Sequence, residues 1–419
     1  MTSTASVVKR PLKFKVINFL GKIATSRPNL SKQYLIDAAC KSTGLDDWGS
    51  ENFMIGLNKL LSSAKYEANL HFFGRQFLQK GCIRSIKDRL RLQSAFKKNP
   101  EILKLSIKNP IFIIGFPRTG TTFLQNLLFQ DNRFRHLHYW EQVAVGPQPT
   151  PMNLNENYII KSCTSFVNKL KMIAPEFFIA HEINANGPEE CNGLMERNFS
   201  SIIYFMFRNL PSYMEWFKNN DMTETYDYHK MQLQFLGYHF KKKQWVLKAP
   251  VHLLFLKYLF KTYPDAKILF MHRDPVKVIP SMASLGVISR QIHSDYVNPD
   301  ETASQFLDLM SHNMYSSIQF RKEFGESQFL DISYKKLVKD TSNILQGIYN
   351  WLEIELNQNL KEKISNWLKI SRQKHSKNSH IYTLDQFNLS KTKISNKFEF
   401  YYDNYADYLD QYKERRSAS

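Results

Sequence analysis

Residues 110–124 read Pro-Ile-Phe-Ile-Ile-Gly-Phe-Pro-Arg-Thr-Gly-Thr-Thr-Phe-Leu. A β-branched apolar run ends at Gly115, a loop carries Pro117, Arg118 and Gly120, and amphipathic helical spacing begins at Thr121. Strand, glycine loop and helix start in this order constrain the fold more than any other stretch. The backbone N–H groups of Thr119–Thr122 come together at a helix N-terminus, where the first turn has no intrahelical acceptors and the macrodipole favours an anion. Arg118 adds a planar fork that can hold two oxygens of one group.

The spacing from Gly115 to Gly120, followed by Thr121 and Thr122, is that of the phosphate loop of nucleoside triphosphatases in all but one position. Thr121 stands where those loops carry Lys, and the cation lies inside the loop as Arg118. A loop without that Lys is poorly equipped to draw charge from between β- and γ-phosphates. No clear acidic partner for Mg²⁺ follows on a later strand, so the loop suits an anion transferred without a metal.

Further along, apolar runs predict strands at 244–248, 267–272 and 328–332, with helices over 252–262, 276–284, 302–324 and 343–353 between and after them. Strands alternating with helices predict a parallel sheet with ligands beyond the carboxyl ends of its strands. The loops after the first three strands carry Arg118, Lys248 and Arg273. Before the sheet, residues 33–41, 51–67, 70–80 and 83–97 read as helices, closed by Asn99-Pro100 and Asn109-Pro110. The expected fold is α/β: a P-loop-like three-layer arrangement with a central parallel sheet, plus an N-terminal helical cap. The expected division is a cap over 1–108 and an α/β domain over 109–419, with a helical, substrate-side insertion at about 136–240. Gly187-Pro188-Glu189-Glu190-Cys191 reads as the start of a helix in that insertion.

The chain has 419 residues with 57 basic and 38 acidic side chains, a formal charge of +19. That balance favours polyanionic partners. The informative cations stand at strand-to-helix loops, which favours a small-ligand cleft over a nucleic-acid surface. Four widely spaced cysteines, Cys40, Cys82, Cys163 and Cys191, form neither a disulfide framework nor a zinc motif, so reduced cytoplasmic thiols are expected. The segment Phe14–Ile23 is interrupted by Lys15, Asn18, Gly21 and Lys22, too short and polar for a secretory core. A docked helix is expected there, with a peripheral membrane contact as the alternative.

These residues resemble the sulfotransferases that use 3′-phosphoadenosine 5′-phosphosulfate (PAPS), in the bacterial-type branch with Arg in its first loop. Gly115–Thr122 is similar to that branch's 5′-phosphosulfate loop, and Arg273 with Ser281 to the pair that binds the 3′-phosphate. Trp140-Glu141, the segment from His181 to Cys191, Trp245–Leu253, Tyr334–Asp340 and His380–Phe387 also resemble family segments, so the likeness runs from about residue 35 to the C-terminus. It implies sulfuryl transfer to a hydroxyl or amine with release of 3′,5′-ADP and no metal. The cofactor would lie on Arg118, Thr119, Gly120, Thr121, Thr122, Arg273 and Ser281. Arg118 and Lys248 would stabilise the transition state. The base would be Glu141, where related enzymes place a catalytic Glu, or His181, or His252, which is displaced by two residues from the Lys-x-His of the cytosolic enzymes. The basic run Arg372–His380 could fold over the 3′-phosphate. The acceptor would be a small or lipid-like molecule. The competing readings are a nucleotide kinase or triphosphatase, and a non-catalytic basic protein that binds nucleic acid or anionic membrane.

Overall fold

The computed structural model describes residues 12–23, 27–143, 154–240, 243–375 and 382–409. Five strands form one parallel sheet: β1 (Ile111–Gly115), β2 (Phe134–His136), β3 (Gln244–Lys248), β4 (Lys267–His272) and β5 (Phe329–Ser333), in the order β2-β3-β1-β4-β5. Register pairs Ile113 with Lys248 on one side of β1 and Gly115 with Met271 on the other. The chain leaves β1 toward β2 and leaves β4 toward β5, so adjacent β1 and β4 diverge and open a crevice at their carboxyl ends.

Both faces of the sheet are covered, which is why its strands are continuously apolar. Phe112, Ile114, Leu247, Ile268 and Phe270 point into the larger core, shared with Leu35, Leu57, Leu90 and Phe306 of the surrounding helices. Ile111, Ile113, Val246, Leu269 and Met271 point to the other core, closed by the helices Thr121–Leu128, Thr341–Leu352 and Gln358–His375. Alternation along β3 puts Lys248 on the second face, toward Thr121–Leu128.

The four longer strands expected from the sequence match within one residue. The three-residue edge strand β2 was not expected, being too short for a periodic signal. Residues 72–98 form one helix of 27 residues where two were expected. A Cβ on Gly81 would have open space, and one glycine costs a long, packed helix only about 1 kcal/mol. The Pro188-Glu189-Glu190 segment does not start an α-helix. Pro188 bridges His138 in an isolated pair, Glu190 is extended, and a 3₁₀ segment Cys191–Asn198 follows. The expected helix at 252–262 divides into a 3₁₀ turn, Pro250–Leu254, and a helix, Leu256–Thr262. No described helix is long and apolar enough to cross a membrane.

Candidate active site

The loop after β1 is built around backbone that most side chains avoid. Gly115 has φ +142°, and a Cβ there would lie 2.5 Å from the Met271 carbonyl oxygen across the sheet. Gly120 has φ +86°, and its Cβ would drive into the Tyr334 ring. Between them Arg118 adopts φ +69° despite its side chain. Thr119 Oγ1 donates to the Phe116 carbonyl at 2.6 Å and closes the turn. The helix Thr121–Leu128 follows without a side-chain cap, so the N–H groups of its first turn face the crevice, where a tetrahedral anion would find donors.

Arg118, Ser281 and Arg273 meet here. Arg118 Nε donates to Ser281 Oγ at 3.2 Å, and Arg273 Nη1 donates to the Arg118 carbonyl at 2.6 Å. The guanidinium of Arg273 lies 4.4 Å from the centroid of the Tyr334 ring. Burial, together with the like charge of Arg273, pushes the Arg118 guanidinium below its usual range, while Tyr382 opposes this. A bound dianion would offset both penalties. Asp274 accepts the Val276 N–H at 2.9 Å and Pro275 opens the helix Pro275–Gln291, which explains the Arg-Asp-Pro sequence locally. Ser281 lies in the second turn of that helix, next to Pro280.

Lys248 ends β3 with its side chain only 1% exposed. Its Nζ donates to Glu190 Oε1 at 2.8 Å and reaches Thr122 Oγ1 at 3.4 Å, tying the strand end to the anion loop. Burial would raise the Glu190 carboxyl, but the charges of Lys248 and His181 and the hydrogen bonds from Lys248 and Asn192 outweigh it and hold it below the usual carboxylate range.

A cavity of about 560 Å³ opens from this point, with Arg118, Thr121, Thr122, His181, Glu189 and Glu190 at its polar end. The remainder is largely apolar and aromatic, including Phe77, Phe177, Phe207 and Phe306 from the N-terminal helices, the middle section and the helix Pro299–Phe324. A second depression of about 700 Å³ lies at the amino ends of β3 and β4, beside Lys108, Gln244 and Lys267, and holds none of the expected residues.

The three base candidates separate. His181 lines the cavity, with its Nε2 3.8 Å from Glu189 Oε1. Glu141 is buried away from it: one oxygen pairs with Arg135 and the other accepts the His138 N–H at 2.8 Å. His252 is fully buried in the core. Its Nδ1 meets Tyr226 Oη at 2.7 Å and its Nε2 meets Cys191 Sγ at 3.1 Å, and burial with His229 nearby drives its pKa well below the ordinary value. The geometry thus does not bring Glu141 or His252 to the cavity. Glu189 and Glu190 read in the sequence as acids at a helix start, one of them open to substrate contact; Glu190 is the partner of Lys248. Its acidic doublet after Gly-Pro was the visible signal, but its partner lies 58 residues away. The basic run Arg372–His380 falls largely outside the described residues.

The profile described as "Sulfotransferase family" matches residues 110–358, which span the loop, all five strands, Arg118 and Arg273. The chain belongs to the sulfotransferase family. Among solved structures, sulfotransferase STF1 of Mycobacterium tuberculosis H37Rv is 28% identical with a TM-score of 0.79, covering 89% of this chain and 99% of its own. Sulfotransferase STF9 of Mycobacterium avium shares the fold at 23% identity and a TM-score of 0.82, over 91% of this chain and 98% of its own. A relative named omega-hydroxy-beta-dihydromenaquinone-9 sulfotransferase Stf3, from Mycobacterium tuberculosis, is 26% identical over 255 residues. That match takes in 58% of this chain and spans 62% of the relative's own length.

Proposed function

We propose that the chain is an enzyme that moves the sulfuryl group of PAPS to a hydroxyl or amine of an amphipathic, lipid-like acceptor and releases 3′,5′-ADP. One observation carries this reading: two arginine-bearing loops meet at the β1/β4 crevice, and Thr122, the hydrogen-bond partner of Lys248, lines a largely apolar cavity beside them. The donor set fits a ligand with two anionic ends. Backbone N–H groups of Thr119–Thr122 with Arg118 suit a phosphosulfate, and Arg273 with Ser281 suits a second phosphate. The relative named for omega-hydroxy-beta-dihydromenaquinone-9 supports a lipid-like acceptor. So does the aromatic lining contributed by residues 1–108 and 136–240, which we take as the cap and the acceptor-side insertion.

In this reading Arg118 and Lys248 stabilise the charge that grows on the sulfuryl oxygens and the departing bridging oxygen. Thr121 and Thr122 orient the phosphosulfate. Glu190 holds Lys248 in place before the donor arrives. His181 takes the proton of the acceptor hydroxyl, with Glu189 Oε1 3.8 Å from its Nε2. The chemistry of these donors calls for no metal ligand. The four free thiols support a reducing, cytoplasmic setting.

The test is a PAPS-dependent acceptor screen with release of 3′,5′-ADP as the readout and Arg118→Ala as control. Magnesium-dependent consumption of ATP, with PAPS left intact, would overturn the reading in favour of a kinase or triphosphatase. Steeply salt-dependent nucleic-acid binding without turnover would favour a basic binding protein.

A further inference from the structure

The helix Leu12–Ile23 packs with one face and leaves the other bare. Phe14, Asn18 and Gly21, at i, i+4 and i+7, face the start of the helix Phe72–Lys98. The Phe14 and Phe73 ring centroids are 4.5 Å apart, and Asn18 Oδ1 accepts the Phe73 N–H at 2.9 Å. A Cβ on Gly21 would run into the Phe72 ring. The helical repeat puts Leu12, Val16, Phe19, Leu20 and Ile23 on the opposite side, and every one of them is exposed, all but Val16 by more than half. Apolar residues scattered singly on a surface need no explanation, but a continuous helical stripe of five does.

The charge around that stripe selects its occupant. Lys9, Arg10, Lys13, Lys15, Lys22 and Arg27 surround it in sequence, and no acidic residue precedes Asp37. An apolar face on a helix rich in cations and free of acids is the pattern that lies in the headgroup layer of an anionic bilayer. A second copy of the chain, carrying the same cations around its own stripe, would be repelled. The position of the helix matters as well. Phe73, which it grips from outside, lines the active-site cavity from within, one turn before Phe77. Two other helices that line the cavity, Leu154–Ile173 and Pro175–Ala180, also bear exposed Met172 and Ile179.

We propose that the helix Leu12–Ile23 docks this protein on an anionic membrane surface, and that the cavity beside it receives its acceptor from that bilayer. The second half of this inference rests on the lipid-like acceptor proposed above; the docking does not. The full chain is floated with vesicles of equal parts phosphatidylglycerol and phosphatidylcholine, and with vesicles of phosphatidylcholine alone. Binding to the anionic vesicles is expected, weakening with salt and with the zwitterionic lipid. The Phe19→Ser/Leu20→Ser variant should lose about tenfold or more in vesicle partition, because two apolar side chains leave the buried face. Its thermal unfolding and its affinity for 3′,5′-ADP should stay as in the parent, since neither side chain packs inward.

Equal flotation of parent and variant, or no flotation of the parent, overturns the docking. So does a parent dimer in sedimentation velocity that the double substitution dissolves without changing lipid binding, because the stripe would then be covered by a second copy. Flotation without affinity for 3′,5′-ADP would sink the donor reading and leave the docking standing. The converse result would do the reverse.

Discussion

Arg118 shows how one side chain divides two chemistries. It is half-buried, it hydrogen-bonds to Ser281, and it accepts an uncommon backbone conformation to sit between the anion loop and the second arginine. Arg118→Ala should lower kcat/KM for sulfuryl transfer by about 10²-fold or more, the scale of losing one oriented charged donor at a transition state, with a normal unfolding curve. Arg118→Lys should recover only part of this, because a point charge cannot reproduce the two-pronged fork. Steady-state kinetics with PAPS at saturation distinguishes the two. Gly120→Ala should be harsher on binding than its size suggests. The added methyl is strained at φ +86° and meets the Tyr334 ring that also stacks on Arg273. A loss of at least about 1–2 kcal/mol in the calorimetric affinity for 3′,5′-ADP is expected.

The contact between the end of β3 and the segment before Cys191 is the next larger unit. Lys248 and Glu190 form a pair between a strand end and an extended stretch, and the lysine is almost wholly buried. Removing one partner leaves the other uncompensated, so Glu190→Gln should destabilise the protein by roughly 2–3 kcal/mol. Lys248→Met/Glu190→Gln together should cost less than the sum of the single changes, while every variant lacking Lys248 loses turnover. Urea unfolding of the four proteins in a double-mutant cycle measures this directly. The same contact explains a limit of sequence reading. Glu189 and Glu190 were expected at a helix start because acids after Gly-Pro usually sit there. Pairing of Pro188 with His138 instead keeps the segment extended, and the carboxylate turns to a lysine on another strand.

Over the entire fold, burial of histidines sets the response to acid. His136 and His229 are pushed down to about 3 by burial, and burial also lowers His252 and His272. A folded-state pKa below the unfolded value means that the unfolded chain takes up a proton the native state refuses. Stability from these groups is therefore complete above pH about 6.5 and falls as pH drops through that value toward the folded pKa. The limiting slope is about 1.4 kcal/mol per pH unit for each. Asp331 adds a later step: burial opposes its ionisation, but Arg321 and His272 outweigh burial and lower it to about 2. Its contribution is present above the ordinary carboxylate range and disappears only in strong acid. Denaturant unfolding between pH 8 and 4 should show a decline that begins near pH 6.5, before carboxylates titrate. A stability flat down to pH 5 would contradict this account.

The order strand, glycine loop and helix start at Ile111–Leu128 was legible because its causes are local. β-branched residues extend, glycines take positive φ, and a helix start lacks acceptors whatever surrounds it. The same holds for β3, β4 and β5, and for the three cations after strand ends. Tertiary structure decided which of those groups meet. Glu141 ranked first among the base candidates in sequence, ahead of His181 and His252, yet only His181 of the three lines the cavity. Arg135 takes Glu141, and Tyr226 with Cys191 takes His252. Those partners are separated in sequence from the groups they hold by 6, 26 and 61 residues. Propensity and periodicity describe how a chain bends within a few residues, whereas reach into a cavity depends on which distant side chains fill the space between.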